Sequence, residues 1–201
     1  MFIDWLSLLL INAMFGYFLL AAFVYRGLGE LDHAKWAPGF LMVGVISLVF
    51  GGVMVIQWPL PGPFNSAFGE MSVLLGVIFL GAGVAMTKGW SLATVTWYGF
   101  FAGLAAIVIG ARIILLKLTA APIPSGGAII LSGLAGVLSP LGWYARSDKR
   151  LRVLGMLLLI AIGFIWANVT YRAYWGHMQT LEKWMPPSMR QAAPAPTPHP
   201  R

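Results

Sequence analysis

Glu70 and Arg112 draw the eye first, because each stands in or against an apolar run long enough to cross a bilayer. A carboxylate and a guanidinium at matched depth can pair, and such a pair can gate a path or hold a small polar solute. A charge left alone at the centre of a membrane helix costs about 2.5 to 3.5 kcal/mol, which is the drive to pair. The opposing reading is that both snorkel. Arg112 is close to the end of its run at Lys117, and its aliphatic stem can carry the head group to the interface.

The remaining polar groups that could line a path are Asp4, Asn12, Gln57, Asn168 and Arg172. Asn12 lies about 10 Å below Trp5 at helical rise. It can face a solute, or it can supply an interhelical hydrogen bond worth about 0.6 to 2 kcal/mol. Glu30 and His33 have the i, i+3 spacing of a carboxylate–histidine metal pair, but a di-metal bundle needs a second such pair and two more glutamates, and none is present. The three histidines cannot sandwich one haem iron, since His33 and His177 fall at opposite ends of the helices and His199 is in the tail. The methionines are scattered through the apolar runs as packing residues. No cofactor or metal is expected. There is no cysteine, and no nucleophile elbow, phosphate-binding glycine loop or HExxH motif, so an enzymatic reading has no residue set to stand on.

These side chains have to be positioned by membrane helices. Only 9% of residues are charged, 59% are apolar and mean hydropathy is +0.83, a balance that no soluble domain of this size keeps. Roughly 20 residues cross a hydrocarbon core of about 30 Å. Six runs satisfy that length, and the spacing predicts helices over 5–25, 39–57, 66–87, 91–117, 128–145 and 151–172. The fold class is therefore all-α: a polytopic membrane protein built as a six-transmembrane-helix bundle. Residues 1–173 form the transmembrane domain, 174–190 suit an interfacial amphipathic segment, and 191–201 are a disordered proline-rich tail. The first run lacks a basic n-region and is expected to be retained as a helix.

The proline-rich stretch 58–70, WPLPGPFNSAFGE, separates the second and third helices and delivers Glu70 into the first turns of the third. A second uncharged proline link, 120–127, precedes the fifth helix, in which Pro140 predicts a kink. Small residues recur at steps of three and four. Gly99, Gly103, Ala106 and Gly110 form the most regular stripe, with Gly76 and Gly83 on the third helix; such spacing lets a neighbouring helix approach closely.

The net charge of +7 comes from residues at helix ends, where they meet lipid phosphates, so the bilayer rather than nucleic acid is the expected partner. Arg26, Lys35, Lys88, Arg146, Lys149, Arg150 and Arg152 lie in or beside the first, third and fifth links, against Lys117 for the second and fourth. The positive-inside rule then puts the odd links in the cytoplasm and both termini, with 58–70, on the outer side. That topology sets Asp4, Asn12, Gln57, Glu70, Arg112, Asn168 and Arg172 in the outer third of the membrane.

Six segments carry a resemblance: MFIDWL (1–6), WAPGF (36–40), WPLPGPFN (58–65), AFGE (67–70), FFAGLAAIVIGARI (100–113) and AYWGH (173–177). With them the chain resembles an uncharacterised prokaryotic membrane family, domain-of-unknown-function family 981, over nearly all of its length except the tail. The resemblance implies a six-helix protein of the prokaryotic cytoplasmic membrane and no assigned activity. GWSLATVTWYGFF (89–101) is more weakly similar to the aromatic lead into the fourth helix of the amide and urea channel family, whose acidic and histidine-rich outer loops are not matched here. Two functions from different classes follow. One is a passive channel or carrier for a small polar or uncharged solute. The other is an accessory or scaffolding subunit of a larger membrane complex, respiratory or redox among the options; the partners expected besides the bilayer are a second copy of the chain, which favours the channel, or that larger complex.

Overall fold

A computed structural model describes residues 5–60 and 63–181 of the chain. Its helices are α1 (Trp5–Tyr25), α2 (Ala37–Gln57), α3 (Met71–Lys88, entered through a π-helical segment Asn65–Glu70), α4 (Ala93–Leu115), α5 (Pro122–Tyr144) and α6 (Lys149–Leu181). Two single 3-10 turns, Gly27–Gly29 and Ala34–Trp36, fold the link between α1 and α2. Among the described residues, six spans are long and apolar enough to cross a membrane. The protein is thus an all-helical, multi-pass integral membrane protein. Its basic end holds the links around residues 26–36 and 145–149, and its proline end holds residues 58–60 and 63–64 and the link around 116–121.

Three antiparallel pairs make up the bundle: α1 with α6, α2 with α3, and α4 with α5. Glycine sets two of them. A Cβ built on Gly44 would lie 2.5 Å from the Leu80 amide nitrogen, and one on Gly76 would lie 2.7 Å from that of Leu48. Between α4 and α5, a Cβ on Gly110 would come within 2.7 Å of the Gly126 carbonyl oxygen, and one on Gly136 within 2.7 Å of that of Gly99. Backbones this close gain dispersion contacts along their length, which in lipid replaces the hydrophobic drive.

Three local features differ from the sequence expectation. First, α5 starts at Pro122 and not near 128, so Gly126 and Gly127 are helical. The prolines that read as breakers occupy the first turn, where the missing N–H groups would have no intrahelical partner anyway. The helix then continues through the buried Pro140. Second, α6 does not stop near 172 but runs to Leu181, 33 residues and about 50 Å. The rest of the expected interfacial segment, 182–190, and the tail, 191–201, lie outside the described residues. Third, the chain enters α3 through a wide π turn, a form found mostly as single-turn irregularities.

A central apolar cavity as candidate functional site

Contacts of α3 with α4 and of α5 with α6 are sparse beside those within the three pairs. The α4–α5 hairpin, held to itself by glycine, therefore stands off from the rest of the bundle. The gap is a cavity of about 480 Å³ walled by α1, α3, α4, α5 and α6. That volume is in the range of sites that hold one small molecule, roughly 300 to 1,000 Å³.

Aliphatic and aromatic side chains dominate the wall, among them Leu9, Leu75, Phe79, Leu138 and Leu158. Three of the hydroxyls on it are engaged, that of Thr96 donating to the Ala93 carbonyl (2.7 Å). Ser132 of α5 donates to the Ala128 carbonyl (2.7 Å) and accepts from Trp166 Nε1 of α6 (3.1 Å). Trp166 is only 6% exposed, so α5 and α6 meet at a polar node inside an apolar wall. The Ser139 hydroxyl proton is shared between the carbonyls of Gly136 (2.7 Å) and Thr96 (2.9 Å).

Trp143 lines the cavity toward the basic end and belongs to a cluster of rings. Phe23 makes edge contacts with His33, Trp36 and Phe40, and His33 contacts Trp143. The Arg146 guanidinium sits 4.4 Å from the Trp143 ring centroid, a cation–π contact. Glu30 closes this end of the first link, accepting from Lys35 Nζ (2.8 Å) and Trp36 Nε1 (3.2 Å). The Lys35 hydrogen bond, followed by that of Trp36, holds the Glu30 carboxyl below its ordinary pKa. Glu30 is thus engaged by a cation and an indole, and no group of three metal-ligating side chains occurs among the described residues.

The polar residues singled out in the sequence go to several places. Asn12 is buried and donates to the Val43 carbonyl (3.0 Å) and to Ser47 Oγ (2.8 Å), joining α1 to α2. Glu70 is exposed and accepts from Ser66 Oγ (2.9 Å). Arg112 is exposed on α4, and no ion pair joins it to Glu70; the pair found among the described residues is Lys35–Glu30. Gln57 is exposed at the end of α2. Asn168 and Arg172 are exposed one turn apart on α6, in a shallow groove with Phe164, Tyr171 and Trp175. Asp4 lies outside the described residues. Gly99, Gly103 and Gly110 are buried against α5, Gly76 and Gly83 against α2, while Ala106 faces the cavity.

Sequence reading passed over Asn65, Ser132 and the cavity position of Arg152. Asn65 is fully buried and grips Leu60 twice: Nδ2 donates to its carbonyl (2.6 Å) and Oδ1 accepts from its N–H (3.1 Å). An Asn just after a proline-rich turn is a recognisable signal for such a clasp. Ser132 carries no sequence signal. Arg152 counted only as one basic residue in a dense link.

No curated protein and no solved structure matches the chain. Residues 1–180 match the sequence model of the family described as "Protein of unknown function (DUF981)", and the chain belongs to that family.

Proposed function

We propose that the protein binds or carries a molecule with a predominantly apolar body, held in the cavity between α1, α3, α4, α5 and α6. One observation carries this reading: the wall is predominantly apolar, and the Thr96, Ser132 and Ser139 hydroxyls on it are bonded to backbone carbonyls. A polar solute entering it would give up water and find few free partners, at a cost of about 1 to 3 kcal/mol per unsatisfied group. A channel for small polar solutes past Asn12, Glu70 and Arg112 has less support, since the amide of Asn12 is taken up between helices and the two charges face outward. The Lys and Arg excess at the basic end supports placing that end in the cytoplasm, with both termini opposite.

A photoactivatable alkyl diazirine in proteoliposomes tests the reading. Saturable labelling is expected on wall residues such as Ala102, Ala135 and Leu158, and Gly142→Phe should suppress it by filling the lumen, since open space surrounds that glycine. Absence of saturable wall labelling, with urea or glycerol crossing the same liposomes faster than empty ones, would overturn it.

A second reading, an accessory subunit of a larger membrane complex, is favoured by the exposed α6 strip that sets Asn168 and Arg172 among Phe164, Tyr171 and Trp175. A neighbouring helix would supply hydrogen-bonding partners for Asn168. Mild solubilisation from the native membrane, followed by sizing, should then give a stoichiometric larger assembly that Asn168→Leu weakens. A monodisperse single chain sinks it.

A further inference from the structure

Among the described residues on the cavity wall, Arg152 alone is charged. The start of α6 fixes its place. Asp148 caps the helix, its Oδ1 accepting the Arg150 N–H (2.8 Å) and its carbonyl accepting that of Arg152 (3.1 Å). The Arg152 side chain then lies over the first link, where Nη1 donates to the Tyr25 carbonyl (3.2 Å) and packs on Gly29, at which even a Cβ would collide with it.

The guanidinium is not compensated. Asp148 is occupied with the helix cap and Glu30 with Lys35 and Trp36, and no carboxylate pairs with Arg152 among the described residues. Its Nε is buried without a hydrogen-bond partner. A half-buried cation with a free buried donor, on the wall of an otherwise apolar chamber, is costly unless an anion meets it.

We propose that the occupant of the cavity is a single-chain anionic amphiphile, whose carboxylate, sulfonate or phosphate head is held by Arg152 at the basic end while its tail lies along the apolar wall toward Ser132. The volume of about 480 Å³ suits one chain, not two. A planar guanidinium offers donors in a fork that matches such an oxyanion; Nη1 is bonded to the Tyr25 carbonyl, so Nη2 and, once the side chain turns to uncover it, Nε would engage the head group together. This assignment rests on the cavity reading above and adds the head-group class and the end at which it binds.

The test is competition against the alkyl diazirine labelling by hexadecanesulfonate, which is anionic at all working pH, and by hexadecanol, which shares its tail. Wild-type protein should prefer the sulfonate by about tenfold, the scale of a charge-assisted hydrogen bond. Arg152→Gln should abolish the preference while leaving hexadecanol competition unchanged, Arg152→Lys should keep part of it, and Arg150→Gln should change nothing. Equal competition by both compounds in wild type would overturn the head-group assignment and leave the cavity reading standing. Competition by neither, or no labelling at all, would overturn both. Two-chain phosphatidic acid competing as well as the sulfonate would overturn the single-chain assignment. Unchanged hexadecanol competition also shows that Arg152→Gln is folded.

Discussion

Gly103 of α4 and Gly133 of α5 face each other so closely that a Cβ added to either would lie 2.5 or 2.6 Å from the carbonyl oxygen of the other. This reciprocal contact, repeated at Gly110 with Gly126, draws α4 and α5 into one unit and so leaves the cavity beside it. A glycine stripe often marks only packing, but here close packing in one place creates space in another.

Because backbone atoms are the obstacle, Gly103→Ala and Gly133→Ala should each force the hairpin apart and destabilise the protein by about 1 to 3 kcal/mol. Gly127→Ala, on the same helix but with open space around it, should be neutral or stabilising by up to about 1 kcal/mol. Thermal unfolding in detergent reads both. Equal tolerance at all three positions would mean that the α4–α5 contact is looser than described.

Asn12 spends both amide hydrogens on α2. Asn12→Leu should therefore cost about 0.6 to 2 kcal/mol in a denaturation series, and a double-mutant cycle with Ser47→Ala should show coupling between the two sites. Additive losses would contradict the direct bond. A change in solute flux with no change in stability would return Asn12 to a transport path.

The helix count and the membrane class were legible in Trp5, Trp36, Trp58 and the apolar runs between them, because crossing a bilayer imposes a length that sequence displays directly. The small-residue spacing on α4 was legible too, while its partner Gly126 was hidden in a stretch that reads as a loop, since first-turn prolines and helix-breaking prolines look alike. Cavities have no periodicity at all. Leu75 and Leu158 face an empty space and read like any other membrane leucines, so only the arrangement of helices reveals the chamber. Depth read from the sequence proved a weak guide to contact: the topology puts Glu70 and Arg112 at one level, yet each is exposed and no ion pair joins them.

Glu30 gives the first link a pH dependence. Its pKa is held below the ordinary 4.5, chiefly by the Lys35 hydrogen bond, so the folded state favours the ionised form. The stability it contributes is complete above that ordinary value and is lost as pH falls through the lowered one. The carboxylate is exposed, so the effect is small and screened by salt. Acid titration of unfolding should show a shallower decline below about pH 4.5 for Glu30→Gln than for wild type. Identical slopes would mean that the carboxylate is equally solvated in both states.

Asn65 clasps Leu60 across the proline turn, and its two bonds satisfy both backbone groups of one residue. Trp58, in the left-handed conformation at φ 46°, ends α2 just before this turn, so the chain enters the clasp from a conformation that costs a bulky L-residue energy. The clasp offsets that cost and anchors the π-helical start of α3. Asn65→Ala removes both partners and leaves the Leu60 carbonyl and N–H to find water, at about 1 to 3 kcal/mol. Asn65→Asp is the sharper variant. It keeps the acceptor for the Leu60 N–H but loses the donor and sets a carboxylate against the Leu60 carbonyl, so it should destabilise at least as much as Ala. Limited proteolysis should cut both variants within residues 58–64 at protease levels that spare wild type. Resistance equal to wild type would show that prolines alone, and not Asn65, hold the turn.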